Sequence, residues 1–281
     1  MTVKIVKSGL YYMFLCGLAF LFLFPIIWMV VSSFKPEAMI ATDLKTIQAL
    51  LPPLDIPISQ WLDPYKTVFS RFDLIRGIGN SLLYGTIVVT LSILVNSLAA
   101  YALAKMNFPG KGVIFSIIIL IMIVPMETGI VPLFVIVNRL GIVNTIAGLV
   151  APAIASVFNI FLFRQFFIGI PKSLEEASVI DGAGKIRIFF SIILPLSKPI
   201  IATVSILTFI GSWNDFLWPV IIFTDNKRMP LQVILNVLNN TEPVYTNEIM
   251  AALTVSTIPI ILIYAFFQKY IVEGVAHTGI K

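Results

Sequence analysis

The chain has 281 residues, 58% hydrophobic and 12% charged, with a net charge of +5 and a mean hydropathy of +0.99. Soluble domains run at roughly 45–50% apolar and about 25% charged, so the composition excludes one and points to an all-α polytopic membrane protein with its apolar residues in blocks. The positive balance suits cytoplasmic loops and anionic lipid and needs no nucleic acid. Cys16 and His277 are each the only residue of their type, which excludes an internal disulfide and a Cys-based metal site.

In chain order, Lys4 and Lys7 precede an apolar run too long for a secretory h-region, with no convincing cleavage site; it is expected to be a retained first span. At about 20 apolar residues per crossing, six windows qualify as transmembrane helices: 11–34, 81–104, 112–126, 143–167, 199–223 and 249–267. The third is short unless it continues past Pro125, and Gly129–Arg139 is apolar enough for a re-entrant or interfacial helix. Between the first two windows, residues 35–80 carry Pro52, Pro53, Pro57 and Pro64 with Trp61, Tyr65 and Phe69, a turn-rich segment able to fold down or meet a partner. Residues 224–248, rich in Asn, form a second candidate docking loop. Neither is long enough for a core of its own, so a single transmembrane domain over 1–281 is expected.

Lys and Arg in short loops set the orientation. With the N-terminus inside, the cytoplasmic face receives Lys4, Lys7, Lys105, Lys111, Arg164, Lys172, Lys185, Arg187, Lys198, Lys269 and Lys281. The opposite face receives Lys35, Lys45, Lys66, Arg71, Arg76, Arg139, Lys227 and Arg228, most of them in the long 35–80 segment, which counts little. Both termini and the loop 171–199 are therefore expected in the cytoplasm.

That loop, PKSLEEASVIDGAGKIRIFFSIILPLSKP, is a polar island between apolar spans. Ser173 and Glu176 stand at capping-box spacing, Glu175 and Glu176 suit a helix N-terminus, and Ala177 and Ser178 are small enough for close approach. Gly182 and Gly184 permit a reversal. The stretch Lys185–Leu194 is expected to return to the membrane and break at Pro195. Locally, a cap and a turn explain all of this; why such a loop exists is not explained locally.

Glu176-Ala177-Ser178, three residues, Gly182, nine residues, Ile192, one residue and Leu194-Pro195 resemble the EAA loop of ABC-importer permeases, with Ser178 for the second alanine. Asp181-Gly182-Ala183 resembles the sugar-importer branch. Phe69–Ser81, Trp213-Asn214-Asp215-Phe216 and the tail from Gln268 look like the smaller permease of maltose-type carbohydrate importers. The resemblance implies a type I permease fold, a cell-membrane location in a bacterium or archaeon, a second homologous permease, an extracytoplasmic sugar-binding protein and an ATPase dimer. It also implies that Glu176, Ala177, Ser178 and Gly182, with Asp181 between them and Arg187 at the rim, form a coupling helix on that ATPase; residues 273–281 are a further candidate contact.

No phosphate cradle, H-E-x-x-H or catalytic Ser/His/Asp set occurs, so no cofactor is expected in this chain, and ATP with its magnesium belongs to the partner. Polar residues within spans are candidates for lining a path. Residues 199–215 measure about 25 Å of helix, which puts Trp213, Asn214, Asp215 and Trp218 toward the outer end, with aromatic faces and polar groups suited to a sugar. The alternatives are an interfacial aromatic belt and an Asp215 that caps a helix or pairs with the other permease. Glu127, Asn80 and Asn96 are weaker candidates, Asn96 equally able to bond a neighbouring helix. The rival to an ABC permease is a stand-alone secondary transporter or channel, but no inverted repeat is evident and acids within spans are few.

Overall fold

The computed structural model describes residues 2–278; for residues 2–10, Met126, Phe267 and 269–278 it describes the backbone alone. Gly279, Ile280 and Lys281, the end of the candidate C-terminal contact, lie outside the described residues, as do the side chains of Glu273 and His277. The described chain is helical. It divides into two compact units, one comprising residues up to Ile75 with Ile234–Ile258, the other Arg76–Val233 with the chain from Pro259.

The first unit begins with α1, Thr2–Ser32. None of its most apolar stretch from Tyr11 is buried within the chain, as suits a helix that is apolar all round and solvated by lipid. Its end is anchored by charge and aromatics. Lys35, 1% exposed, donates to Asp43 Oδ2 at 2.7 Å and to the Gln48 carbonyl at 2.6 Å, which pins α2, Glu37–Asp43. Phe34 packs on Trp61 and Tyr65 with ring centroids 5.8 and 5.7 Å apart. Trp61 and Tyr65 thus fold onto the end of α1, Tyr65 from within α3, Asp63–Arg71.

The second unit is built along α4, Leu74–Lys105. Next come α5, Lys111–Ile121, and α6, Ile130–Arg139, joined through a 3-10 turn at Met126–Gly129. The third sequence window, 112–126, is therefore corrected. Its helix has 11 residues, about 16 Å, roughly half a hydrocarbon core, because the chain turns from Met122 and extends at Pro125. Gly129–Arg139 is helical, as α6.

Two other windows, 143–167 and 199–223, are interrupted helices. α7, Ile146–Ile154, and α8, Val157–Ile168, meet at 44°. After α9, Lys172–Ile180, come α10, Lys185–Ile188, a π-helical turn at Phe189–Ile193, and α11, Leu194–Leu196. This arm meets α12, Lys198–Asn214, at 80°. α13, Leu217–Ile222, follows a break at Asp215, and then α14, Leu231–Asn240, and α15, Thr246–Thr278. At the first turn of α15, the Glu37 carboxylate accepts from Thr246 Oγ1 and the Asn247 amide, while Arg71 pairs with Glu248 at 2.7 Å. The two carboxylates, Glu37 and Glu248, suit the electropositive end of the helix.

Two buried clusters mark the ends of the second unit. Tyr101, Phe163, Phe167, Ile188, Phe189, Ile193 and Val204 gather around the end of α4. Tyr84, Val137, Leu149, Trp218, Ile222 and Phe223 gather around its beginning. Between them Gly85 lets the Phe209 ring come so close that a Cβ there would lie 2.8 Å from it, the small-residue approach favoured between membrane helices.

Candidate functional site

The polar loop starts differently from its local signals. α9 begins at Lys172 with Pro171 as its N-cap and no side-chain cap bond, so the Ser173–Glu176 capping box does not form. Ser173 lies inside the first turn rather than before it. The cause is tertiary: Glu175 is drawn down into an ion pair with Lys105, Nζ to Oε1 2.9 Å, with side chains 5% and 10% exposed. Lys105 also donates to the Ile170 carbonyl at 2.6 Å. Glu175 is the only buried residue of α9. Glu176 and Ala177 are exposed, Ser178 is half-buried, and Val179 and Ile180 project outward.

Asp181 and Gly182 end the helix. Gly182 adopts φ +77°, a left-handed cap that glycine makes without strain, and the Ala183 amide returns to the Ser178 carbonyl at 2.9 Å. Ser178, Asp181, Ala183, Arg187, Ser191 and Ile192 line a cleft of about 170 Å³. The helix does not break at Pro195; it runs on to Leu196. The π-helical turn before it, where the Leu194 amide reaches the Phe189 carbonyl, changes the bonding register just where proline lacks a donor.

Basic side chains collect at this same end. Arg164 sits 3.7 Å over the Phe115 ring and donates to the Leu103 carbonyl. Lys111 donates to the Ala104 and Met106 carbonyls. Slight burial, with Arg164 and Lys172 adding like charge, lowers the Lys111 pKa.

The candidate path residues are separated by the structure. Trp213 is 1% exposed and stacks on Phe209 at 5.7 Å; Trp218 is 8% exposed. Neither ring presents a face for a sugar, which corrects that expectation. Trp218 is held by helix chemistry. Pro152 lies inside α7 and cannot donate to the carbonyl four residues back, at Gly148. The Trp218 indole supplies the donor instead, Nε1 to Gly148 O 3.2 Å. Gly148 is itself required, since a Cβ there would lie 2.2 Å from the Ile142 carbonyl oxygen. We expect Trp218→Phe, which keeps an aromatic face, to cost about 1–3 kcal/mol for the orphaned carbonyl, read as a lower midpoint in thermal unfolding in detergent.

Asn96 is not a lining residue either. It is fully buried and holds the bend between α7 and α8: Nδ2 donates to the Ile154 carbonyl at 2.9 Å, and Oδ1 accepts from the Ser156 amide at 2.9 Å. One turn along, Asn159 Nδ2 reaches Ser92 Oγ and Thr208 Oγ1, joining α4, α8 and α12. Sequence inspection passed over Ser92, Asn159 and Thr208, though each is a polar residue in an apolar run.

Asn214 and Glu127 are exposed, and Asp215 is half-buried. Asp215 Oδ1 accepts from the Trp218 amide at 3.3 Å, the helix-capping alternative. Gln232, missed from sequence, donates to Asn214 Oδ1 at 3.4 Å on an exposed face. Asn80 donates to the Lys227 and Met229 carbonyls and Ser81 Oγ accepts from the Leu231 amide, so part of the 224–248 loop is bound to the start of α4. Among the described residues no group of three or more His, Cys, Asp or Glu is placed to hold a metal.

Apolar helices broken at polar, hydrogen-bonded points, with an exposed helical knob at one end, define the membrane-spanning subunit of a transporter. The chain belongs to the family of binding-protein-dependent transport system inner membrane components, which matches residues 92–277. It is 32% identical over 265 residues to the arabinooligosaccharides transport system permease protein AraQ of Halalkalibacterium halodurans, covering 94% of this chain and 93% of that one. It is 35% identical over 201 residues to the sn-glycerol-3-phosphate transport system permease protein UgpE of Yersinia pestis, covering 71% and 72%. The crystal structure of a bacterial ABC transporter involved in the import of the acidic polysaccharide alginate contains a chain matching with a TM-score of 0.82 and 28% identity, over 96% of this chain and 98% of that one. The protein is an ABC-importer permease subunit with the type I fold.

Proposed function

We propose that this permease pairs with a second, homologous one to form the path for a neutral oligosaccharide, receives cargo from an extracytoplasmic binding protein, and is driven by an ATPase dimer. The observation that carries the coupling role is α9, anchored from beneath by one ion pair while Glu176, Ala177 and Ile180 stand exposed. Glu176, Ala177, Ser178, Asp181 and Gly182 seat in the ATPase, with Arg187 at the rim of the adjoining cleft. ATP and magnesium bind in that partner, and this chain is non-catalytic. Lys105, Lys111, Arg164 and Lys172 gather at the α9 end, which by the positive-inside rule faces the cytoplasm together with both termini.

Arabinooligosaccharide transport by one relative supports the cargo class. So does the chemistry at the α12–α13 break. The exposed Asn214 and half-buried Gln232 amides offer donors and acceptors to hydroxyls, and the Asp215 carboxylate disfavours an anionic glycan; Glu127 is a second lining candidate. ATP-driven closure of the dimer moves α9, and the paired spans alternate between inward-open and outward-open.

The test is reconstitution with the partner permease, ATPase and binding protein in proteoliposomes. Uptake of labelled arabinotriose or maltotriose that requires internal ATP and all partners is the expected result. Uptake by this chain alone, driven by an ion gradient, overturns it in favour of a secondary transporter.

A further inference from the structure

α9 makes little use of its own subunit for support. Of its nine residues only Glu175 is buried, so its orientation depends on what Glu175 touches and on how the chain enters the helix. Both lead to one side chain. Lys105, the last residue of α4, binds Glu175 Oε1 at 2.9 Å and the Ile170 carbonyl at 2.6 Å, just before the helix starts. One turn earlier on α4, the Tyr101 ring packs on Phe189 at 5.3 Å, in the π-helical turn of the returning arm. The end of α4 therefore grips both limbs of the loop, one by charge and one by ring packing.

We propose that Lys105 is the positioning residue that fastens α9 to α4, so that displacement of α9 moves this span directly instead of being absorbed by the loop. The proposal rests on α9 being the ATPase contact. The chemistry suits the task. The ammonium holds Glu175 by charge and the Ile170 carbonyl by a hydrogen bond, and removing one partner of a buried pair leaves an uncompensated charge. Glu176, the adjacent carboxylate, is exposed and stays free for the partner, so the two glutamates divide into an inward anchor and an outward contact.

The experiment uses the assembled importer in nanodiscs, in a Cys16→Ser background, with spin labels at Ser173→Cys on α9 and Leu83→Cys on α4, both exposed positions. Electron–electron distances are measured nucleotide-free and after vanadate trapping. With Lys105 present, one distance population is expected in both states. Lys105→Met is expected to shift the trapped state to a second population, with ATP hydrolysis persisting, and Lys105→Arg to restore the single one. Should Lys105→Met fail to insert, Glu175→Gln decides by the same shift. A single unchanged population in Lys105→Met (or in Glu175→Gln where that variant decides), or a distance that already changes in the parent chain, overturns the proposal. Undiminished ATPase co-purification with Glu176→Lys overturns the docking role instead, so the two failures are told apart.

Discussion

Glu176→Lys is expected to insert normally and to lose its ATPase. The side chain is exposed on α9, so reversing its charge leaves the helix and the Lys105–Glu175 pair in place. At a docked interface the cost is large, because like charges brought together across a desolvated contact cost several kcal/mol. At about 1.4 kcal/mol per tenfold change, two or more orders of magnitude in affinity are lost. Membrane fractions should contain the variant at normal abundance, with little ATPase co-purifying and no ATP-driven uptake. Undiminished co-purification and uptake would remove the basis for a coupling role.

Asn96→Leu carries the second large effect, on stability. The substitution is close in size but strands the Ile154 carbonyl and the Ser156 amide at the α7–α8 bend. In a dry interior each orphaned group costs roughly 1–3 kcal/mol, whereas in a membrane, where freed groups find other partners, a lost bond averages about 0.6 kcal/mol. Two groups together give a loss between about 1 and 6 kcal/mol. The check is thermal unfolding in detergent, with Thr86→Ala as comparison, since that hydroxyl bonds only the preceding turn on an exposed face. Equal midpoints for the two variants would show that Asn96 does not hold the bend.

Much of the architecture was legible because lipid imposes a single requirement on long stretches of chain. The apolar stretches of α1, α4 and α15 follow from where charge gives way to apolar residues, though each helix starts ahead of its window, at Thr2, Leu74 and Thr246. Gly182 was legible as a reversal, and the spacing from Glu176 to Pro195 carried the family. What escaped the sequence was set by residues distant along the chain. Local logic assigns Ser173 and Glu176 to a cap; Lys105, seventy positions earlier, takes Glu175 and moves the helix start. Trp213 and Trp218 read as sugar platforms or as an interfacial belt; core packing, which the structure shows, was not among the readings, since their local sequence does not reveal which distant helices cover them. The deciding signal for Trp218 was Pro152, which leaves a carbonyl unpaired in another helix, and no periodicity reveals which donor fills it. The break at residues 155–156 falls between two apolar runs and depends on Asn96 for its hydrogen bonds, so hydropathy alone merges α7 and α8 into one window.

The 80° angle between the returning arm and α12 has a mechanical corollary. The joint is tight, for Ser197 is wholly buried and its hydroxyl bonds the Ile193 carbonyl at 2.6 Å. Two stiff rods meeting near a right angle behave as a crank: thrust applied lengthwise to the short one emerges as a sideways swing of the long one. In the proposed mechanism, an advance of α9 would therefore reach α12 as a swing toward Asn214, at the far tip of the lever.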